Sequence, residues 1–264
     1  MLPPGLLPVD LLPISPEILL LLVLAAFVAG VIDSIAGGGG LLALPAILLA
    51  GAPPVTALAT NKLQGMFGTA SAVIHYARAG QVEPRRQIGP ALVAALSAGG
   101  GALVASHLPA EAIRAVLPVL LIAVALYFGF RKGLDDEDRH ERMTPAAFNA
   151  TAVPGLAFYD GVLGPGTGSF YMLAFVALRG HGLLKATAHT KLLNFASNVG
   201  SMLVFALVAQ PWWLVGLCMG AAQFAGAQVG ARLAVRVGAR MIRPLLVVVS
   251  VALALRLLWQ AWSG

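Results

Sequence analysis

Charge is scarce in this chain: only 11% of its 264 residues are Asp, Glu, Lys or Arg. It has a single cysteine, Cys218, set in an apolar run, which rules out an intramolecular disulfide and a multi-thiolate metal site. The histidines are thinly spread; His75, His107, His140 and His181 read as interface or loop residues too dispersed to hold a metal. No nucleophile and base stand together as an enzyme would need. The N-terminus lacks a basic region ahead of its first apolar stretch, which therefore reads as a retained helix and not a cleaved signal. The period-two alternation of barrel strands is missing too.

Long apolar runs take their place. Hydrophobic residues make up 59% of the chain, mean hydropathy is +0.86, and the runs reach the ~20 residues that cross a bilayer. The chain is expected to be an all-α polytopic membrane protein. A net charge of +6 would suggest nucleic acid in a soluble protein, but here the arginines fall in short loops between apolar runs, where they set orientation. The bilayer is the expected partner, nucleic acid is not, and a homo-oligomer is left open.

The first helix is expected from Pro16, with Ser15 as N-cap, to about Ala36. The run Gly37, Gly38, Gly39, Gly40 stops it. Residues 41–50 rise only ~15 Å, half a bilayer, before Gly51-Ala52-Pro53-Pro54 turns the chain into a helix from about Thr56 to Ala79. Helices follow at about 87–107 and 111–130, the latter with a kink at Pro118. After a hydrophilic stretch at 131–144 the order returns: a helix from about Pro145 to Leu163, a break at Gly164-Pro165-Gly166-Thr167-Gly168, and a short piece to about Leu178. Long helices are then expected at about 185–209, 212–235 and 240–262. The division is a first half at 1–130 with a short external N-terminal segment, a cytoplasmic linker at 131–144, and a second half at 145–264.

The halves match in an ordered way. Asp33 and Asp160 are 127 positions apart, Lys62 and Lys191 are 129 apart, and the larger offset persists to Gly101 and Gly230. Placing the loops around Arg78, Arg85 and Arg86, around residues 131–142, and around Arg232, Arg236 and residues 240–243 in the cytoplasm puts both termini outside. It also puts Trp212, Trp213, Trp259 and Trp262 on the outer side. Each glycine-broken hairpin must then re-enter and return, giving about eight spans in two inverted repeats.

A glycine break in a membrane exposes backbone groups that only protein or a wet cavity can satisfy. The amides opening the helices after Gly40 and Gly168 present the positive end of the macrodipole, which favours an anion. Candidate contacts are the glycines of the first run and Gly164, Gly166, Thr167 and Gly168 of the second. To these are added Asn61, Lys62 and Gln64 in the first half, and His189, Thr190, Lys191 and Asn194 in the second, with Asn198 in register. Gln223 and Gln228 read as bonds between helices, and Gly99-Gly100-Gly101 as close packing. The lysines either supply charge to the anion, the default for an intramembrane cation, or snorkel to an interface. Asp33 and Asp160 have two open roles, structural pairing with the lysines or uptake of a coupling proton. A cation site built on the two acids is the rival transport reading. A membrane enzyme or an assembly factor is the rival outside transport, and the small soluble loops speak against the assembly factor.

The run Asp33-Ser34-Ile35-Ala36-Gly37-Gly38-Gly39-Gly40, then Leu44-Pro45, then Ala59-Thr60-Asn61-Lys62-Leu63, resembles the first half of the TauE/SafE family of membrane permeases, the sulfite exporter family. The stretch from Asp160 through Ala188-His189-Thr190-Lys191 is similar to its second half. The resemblance implies a bacterial inner-membrane transporter of about eight helices. It also implies a small sulfur-containing anion as cargo, such as sulfite, thiosulfate, sulfoacetate or another organosulfonate, with no cofactor. Pro165 and Thr167 in the second glycine segment, and His189 where the first copy has Thr60, make the two half-sites unequal.

Overall fold

The structure, a computed structural model, describes residues 13–109, 111–112, 119 and 137–237. Most of the helix expected at 111–130, the helix expected at 240–262, the stretch 131–136 and Trp259 and Trp262 lie outside the described residues. Among the described residues the chain is all helix and turn, with no strand.

Helix α1 (Pro16–Ala36) starts where proline fits the first turn and the Ser15 hydroxyl accepts from the Ile18 amide at 3.4 Å. It ends at Gly37, left-handed at φ 79°, whose amide donates to the Asp33 carbonyl at 2.8 Å. Two residues later α2 (Gly39–Leu49) begins, and after a turn α3 (Pro54–Arg78) runs back. A single 3₁₀ turn at Pro84–Gln87 leads into α4 (Ile88–His107).

The second half opens with α5 (Pro145–Ala150) and α6 (Ala152–Val162). One continuous helix from Pro145 to Leu163 was expected; the structure breaks it at Thr151. The cause is Pro154, which has no amide for the Ala150 carbonyl and whose ring crowds it. Then come α7 (Thr167–Arg179), α8 (Leu183–Val208) and α9 (Trp213–Val237). Among the described residues, four helical stretches are long and apolar enough to cross a membrane: α1, residues 84–107, α8 and α9.

The distribution of polarity is inverted relative to a water-soluble bundle. Large apolar side chains face outward, Leu96 at 78% and Leu207 at 86% exposure, while Asp33, Lys62, Asp160 and Lys191 are buried. Such a molecule is solvated by lipid, and its charges point to a functional interior.

The helices pack in pairs that exchange between the halves. Helix α1 lies on α9, and α6 on α4; α3 also lies on α9, and α8 on α4; α3 and α8 lie on each other. Glycine makes the closest approaches. A Cβ on Gly101 would come within 2.2 Å of the Phe158 carbonyl, and one on Gly230 within 2.3 Å of the Val31 carbonyl. Gly101 and Gly230 are 129 apart, Val31 and Phe158 127 apart, the same two offsets that relate the lysines and the acids. Likewise Gly200 closes on the Ala95 carbonyl, while the equivalent Ser71 donates to the Phe224 carbonyl at 2.7 Å.

The described end of the linker is strapped over the turn between α7 and α8. The Arg139 amide donates to the Gly180 carbonyl at 2.6 Å, and the Asp138 carboxylate accepts from the Gly182 amide at 2.7 Å.

Candidate functional site

The two glycine breaks meet back to back. A Cβ on Gly37 would lie 2.4 Å from the Gly168 carbonyl carbon, so only bare backbone fits there. The Ser169 hydroxyl donates to the Ala36 carbonyl at 2.6 Å, satisfying the end of α1 from the other half. Gly164 and Gly166 both hold positive φ, 88° and 83°. The Thr167 hydroxyl closes that turn on the Gly164 carbonyl at 2.7 Å, and the Tyr159 hydroxyl takes the Pro165 carbonyl at 2.5 Å.

The acids and lysines are paired across the halves. Lys62 Nζ lies 2.6 Å from Asp160 Oδ1, and Lys191 Nζ lies 3.0 Å from Asp33 Oδ2. The remaining oxygen of Asp33 accepts from the Gly39 amide at 3.1 Å, at the mouth of α2. The remaining oxygen of Asp160 accepts from the Ser197 hydroxyl. Two positive and two negative groups cancel, so neither lysine is free to hold an anion in this conformation.

Between the breaks lies a cavity of about 30 Å³, roughly the share of one water in the liquid. Its walls combine the backbones of Gly37, Gly40, Gly164, Gly166 and Gly168, the charges of Asp33, Lys62 and Asp160, and the amides of Asn61, Asn194, Asn198 and Gln223. Gly65 and Thr69 complete it.

The other residues singled out in the sequence stand behind or away from this wall. Gly38 and Gly39 are buried behind it. Gln64 donates to Asn61 Oδ1 at 2.9 Å and so orients a wall residue. Lys191 is fully buried against Asp33, and the Thr190 hydroxyl is buried with no partner among the described residues.

His189 is in a different place. Residues 189 and 191 are about 200° apart around a helix, so while Lys191 faces Asp33, His189 turns to the far side of α8. There it touches Gln87 and sits 4.8 Å, ring to ring, from His181. His181 was expected to stand apart from the other histidines and His189 to join Lys191; the structure instead brings these two together. His189 and His181 line a second, larger cavity of about 560 Å³ between the α3–α4 loop, the start of α5 and the α7–α8 turn. Burial and the nearby Lys185 push His181 down to about 4. The Lys185 hydrogen bond holds the Asp138 carboxyl below its usual range.

Sequence reasoning missed Gly65, Thr69, Ser197 and the lining role of Gln223. Helical spacing was the available signal: Lys62, Gly65 and Thr69, like Lys191, Asn194 and Asn198, recur at i, i+3 and i+7 and so share one face. Gln223 follows from Gly68, whose missing side chain makes room for it. Among the described residues no three His, Cys, Asp or Glu stand close enough to hold a metal ion.

Residues 22–257 match the family described as "Sulfite exporter TauE/SafE". The chain is 57% identical over 242 residues to the "Probable membrane transporter protein ORF9" of Sinorhizobium sp, covering 92% of this chain and 93% of that one. It is 44% identical to the "Probable membrane transporter protein YfcA" of Escherichia coli K12, over 96% and 94% of the two chains. A "Probable membrane transporter protein" of Haemophilus influenzae is 40% identical, over 94% and 98%. No solved structure matches the chain.

Proposed function

This chain belongs to the TauE/SafE family of membrane transporters, and from there we propose that it exports a small sulfur-containing anion across the bacterial inner membrane by alternating access. The cargo is sulfite, thiosulfate, sulfoacetate or another organosulfonate. The observation that carries this reading is the cavity between the breaks, where the first turns of α2 and α7 and the Lys62 ammonium converge. At about 30 Å³ the cavity is closed to such an anion, so the walls must part for it to enter.

The anion competes with a carboxylate for Lys62, and a proton resolves the competition. A hydroxyl both donates and accepts, whereas an amide N–H and an ammonium only donate. A proton on Asp160 Oδ2 can therefore be donated to Ser197 Oγ while Oδ1 still faces Lys62. Both oxygens of Asp33 face obligate donors, Gly39 N–H and Lys191. Asp160 is the acid fitted to take a coupling proton, and Asp33 the one fitted to stay charged and fix α2 against α8. With Asp160 neutral, the ammonium of Lys62 is available to the anion.

Two inverted repeats with re-entrant hairpins at α2 and α7 complete the reading. At 11 and 13 residues these helices are ~16 and ~20 Å long, short of a full crossing. The contacts that exchange under the offsets 127 and 129 support the repeat. The basic loops at 78–86 and 131–144 and the end of α9 then lie in the cytoplasm and both termini outside. A cation cargo is the weaker reading, because the first turns of α2 and α7 turn the positive ends of their dipoles to the cavity.

Sulfite flux in proteoliposomes tests the proposal, comparing the natural protein with Lys62→Met/Asp160→Asn, which keeps the interior neutral. Flux in the first and none in the second, at equal reconstitution, is the expected result. Full flux in the variant, or a natural protein that moves cations and no sulfur anion, removes it.

A further inference from the structure

We propose that the 560 Å³ cavity on the far side of α8 is a binding site for an organic anion, distinct from the central cavity. Its volume falls within the roughly 300–1,000 Å³ of small-molecule sites. It is not the mouth of the central cavity. Lys185, His189 and Leu193 line it from one face of α8, whereas Lys191, Asn194 and Asn198 occupy the opposite face.

The walls suit a ligand with an apolar body and an anionic head. Phe148 and Phe175 form an aromatic base, their rings 4.8 Å apart, and His181 stacks on Phe175 at 5.4 Å with planes within 11°. Three cations, Arg86, Arg179 and Lys185, line the space against one acid, Glu83. Two of the cations are held loosely. Arg86 pairs with Glu83 at 80% and 65% exposure, and Lys185 with Asp138 at 43% and 57%. Such solvated pairs are weak, so a ligand anion displaces the carboxylates at little cost.

Two imidazole groups remain for the ligand's polar end. His181 Nδ1 is buried with no partner among the described residues. Gln87, donating to Nδ1 of His189, leaves the Nε2 N–H of that ring to face an acceptor.

Titration calorimetry of the purified full chain with benzenesulfonate tests the site. The natural protein is expected to bind it, Arg86→Gln/Lys185→Gln to bind about tenfold more weakly, and Lys62→Met/Asp160→Asn to bind it unchanged. Arg86→Gln alone, at an exposed position that folding does not need, is expected to show part of the loss. No heat with benzenesulfonate, equal binding in the Arg86 and Lys185 variants, or loss confined to the Lys62 variant would each overturn the proposal. Because sulfite flux reads the central cavity, and the change in benzenesulfonate heat on Arg86→Gln and Lys185→Gln reads the second one, either reading can fail alone.

Discussion

The crossed ion pairs make a prediction whose size follows from burial. In Lys62→Met the carboxylate of Asp160, 2% exposed, keeps only the Ser197 hydroxyl. Removing one partner of a buried pair costs about 3–5 kcal/mol, because the other charge stays buried and unpaired. At roughly 2–4 °C per kcal/mol for a chain of this size, the apparent unfolding temperature in detergent is expected to fall by roughly 6–20 °C. Adding Asp160→Asn removes the stranded charge and is expected to restore about 2–3 kcal/mol. Adding Asp33→Asn instead leaves Asp160 stranded and strands Lys191 as well, so it is expected to restore nothing. Thermal unfolding followed by intrinsic fluorescence reads all four proteins. A fall of less than about 2 °C in Lys62→Met, or better rescue by Asp33→Asn than by Asp160→Asn, would refute the crossed pairing.

Two further predictions rest on packing and on the loop histidine. A methyl on Gly101 meets the Phe158 carbonyl at 2.2 Å, whereas one on Gly100 meets nothing within 4 Å. Gly101→Ala is expected to cost about 1–3 kcal/mol and Gly100→Ala to gain up to about 1 kcal/mol from helix propensity, both read as shifts in unfolding temperature. His181 is held neutral when folded, down to about 4, and titrates near 6.5 unfolded. The unfolded chain therefore binds the extra proton first, and stability is full above about pH 6.5 and falls as pH drops towards 4. The lowered Asp138 acts in the same direction, but only below that range, as pH falls past the ordinary carboxylate value. His181→Phe is expected to flatten the decline between pH 6.5 and 4, measured by unfolding temperature against pH.

How much of this was legible beforehand differs from residue to residue. Ser15, Pro16 and Gly37 mark the ends of α1 by local chemistry alone, and that helix lies where its residues put it. The short pieces after each glycine run were equally visible, because length and breaks are properties of the sequence. Pro154 was visible too but was weighed too lightly, so the break at Thr151 was missed. His189 was grouped with Lys191 because the motif was read as a block of neighbours, although two residues along a helix face nearly opposite ways. The crossing of the pairs lay beyond any local reading. Offsets of 127 and 129 equate Asp33 with Asp160 and Lys62 with Lys191, but they do not say whether partners come from the same half. That is decided by the docking of Gly37 on Gly168, a contact between residues 131 positions apart.

The offsets also expose where the halves differ, and the difference separates the two acids. The position equivalent to Ser197 in the first half is Gly68, whose space the Gln223 side chain fills, so Asp33 has no hydroxyl partner and takes the Gly39 amide instead. If only the acid beside a hydroxyl can stay fully bonded when neutral, the two asparagine variants should behave differently. Asp160→Asn imitates the protonated state: it is expected to keep sulfite exchange in proteoliposomes while losing net uphill flux driven by a pH gradient. Ser197→Ala removes the proton's acceptor but not Lys62, and is expected to shift the pH dependence of flux without abolishing it. Asp33→Asn releases Lys191 and the mouth of α2 together, and is expected to lose exchange and stability alike. Gradient-driven flux that survives Asp160→Asn and vanishes only with Asp33→Asn would assign the proton to the other acid.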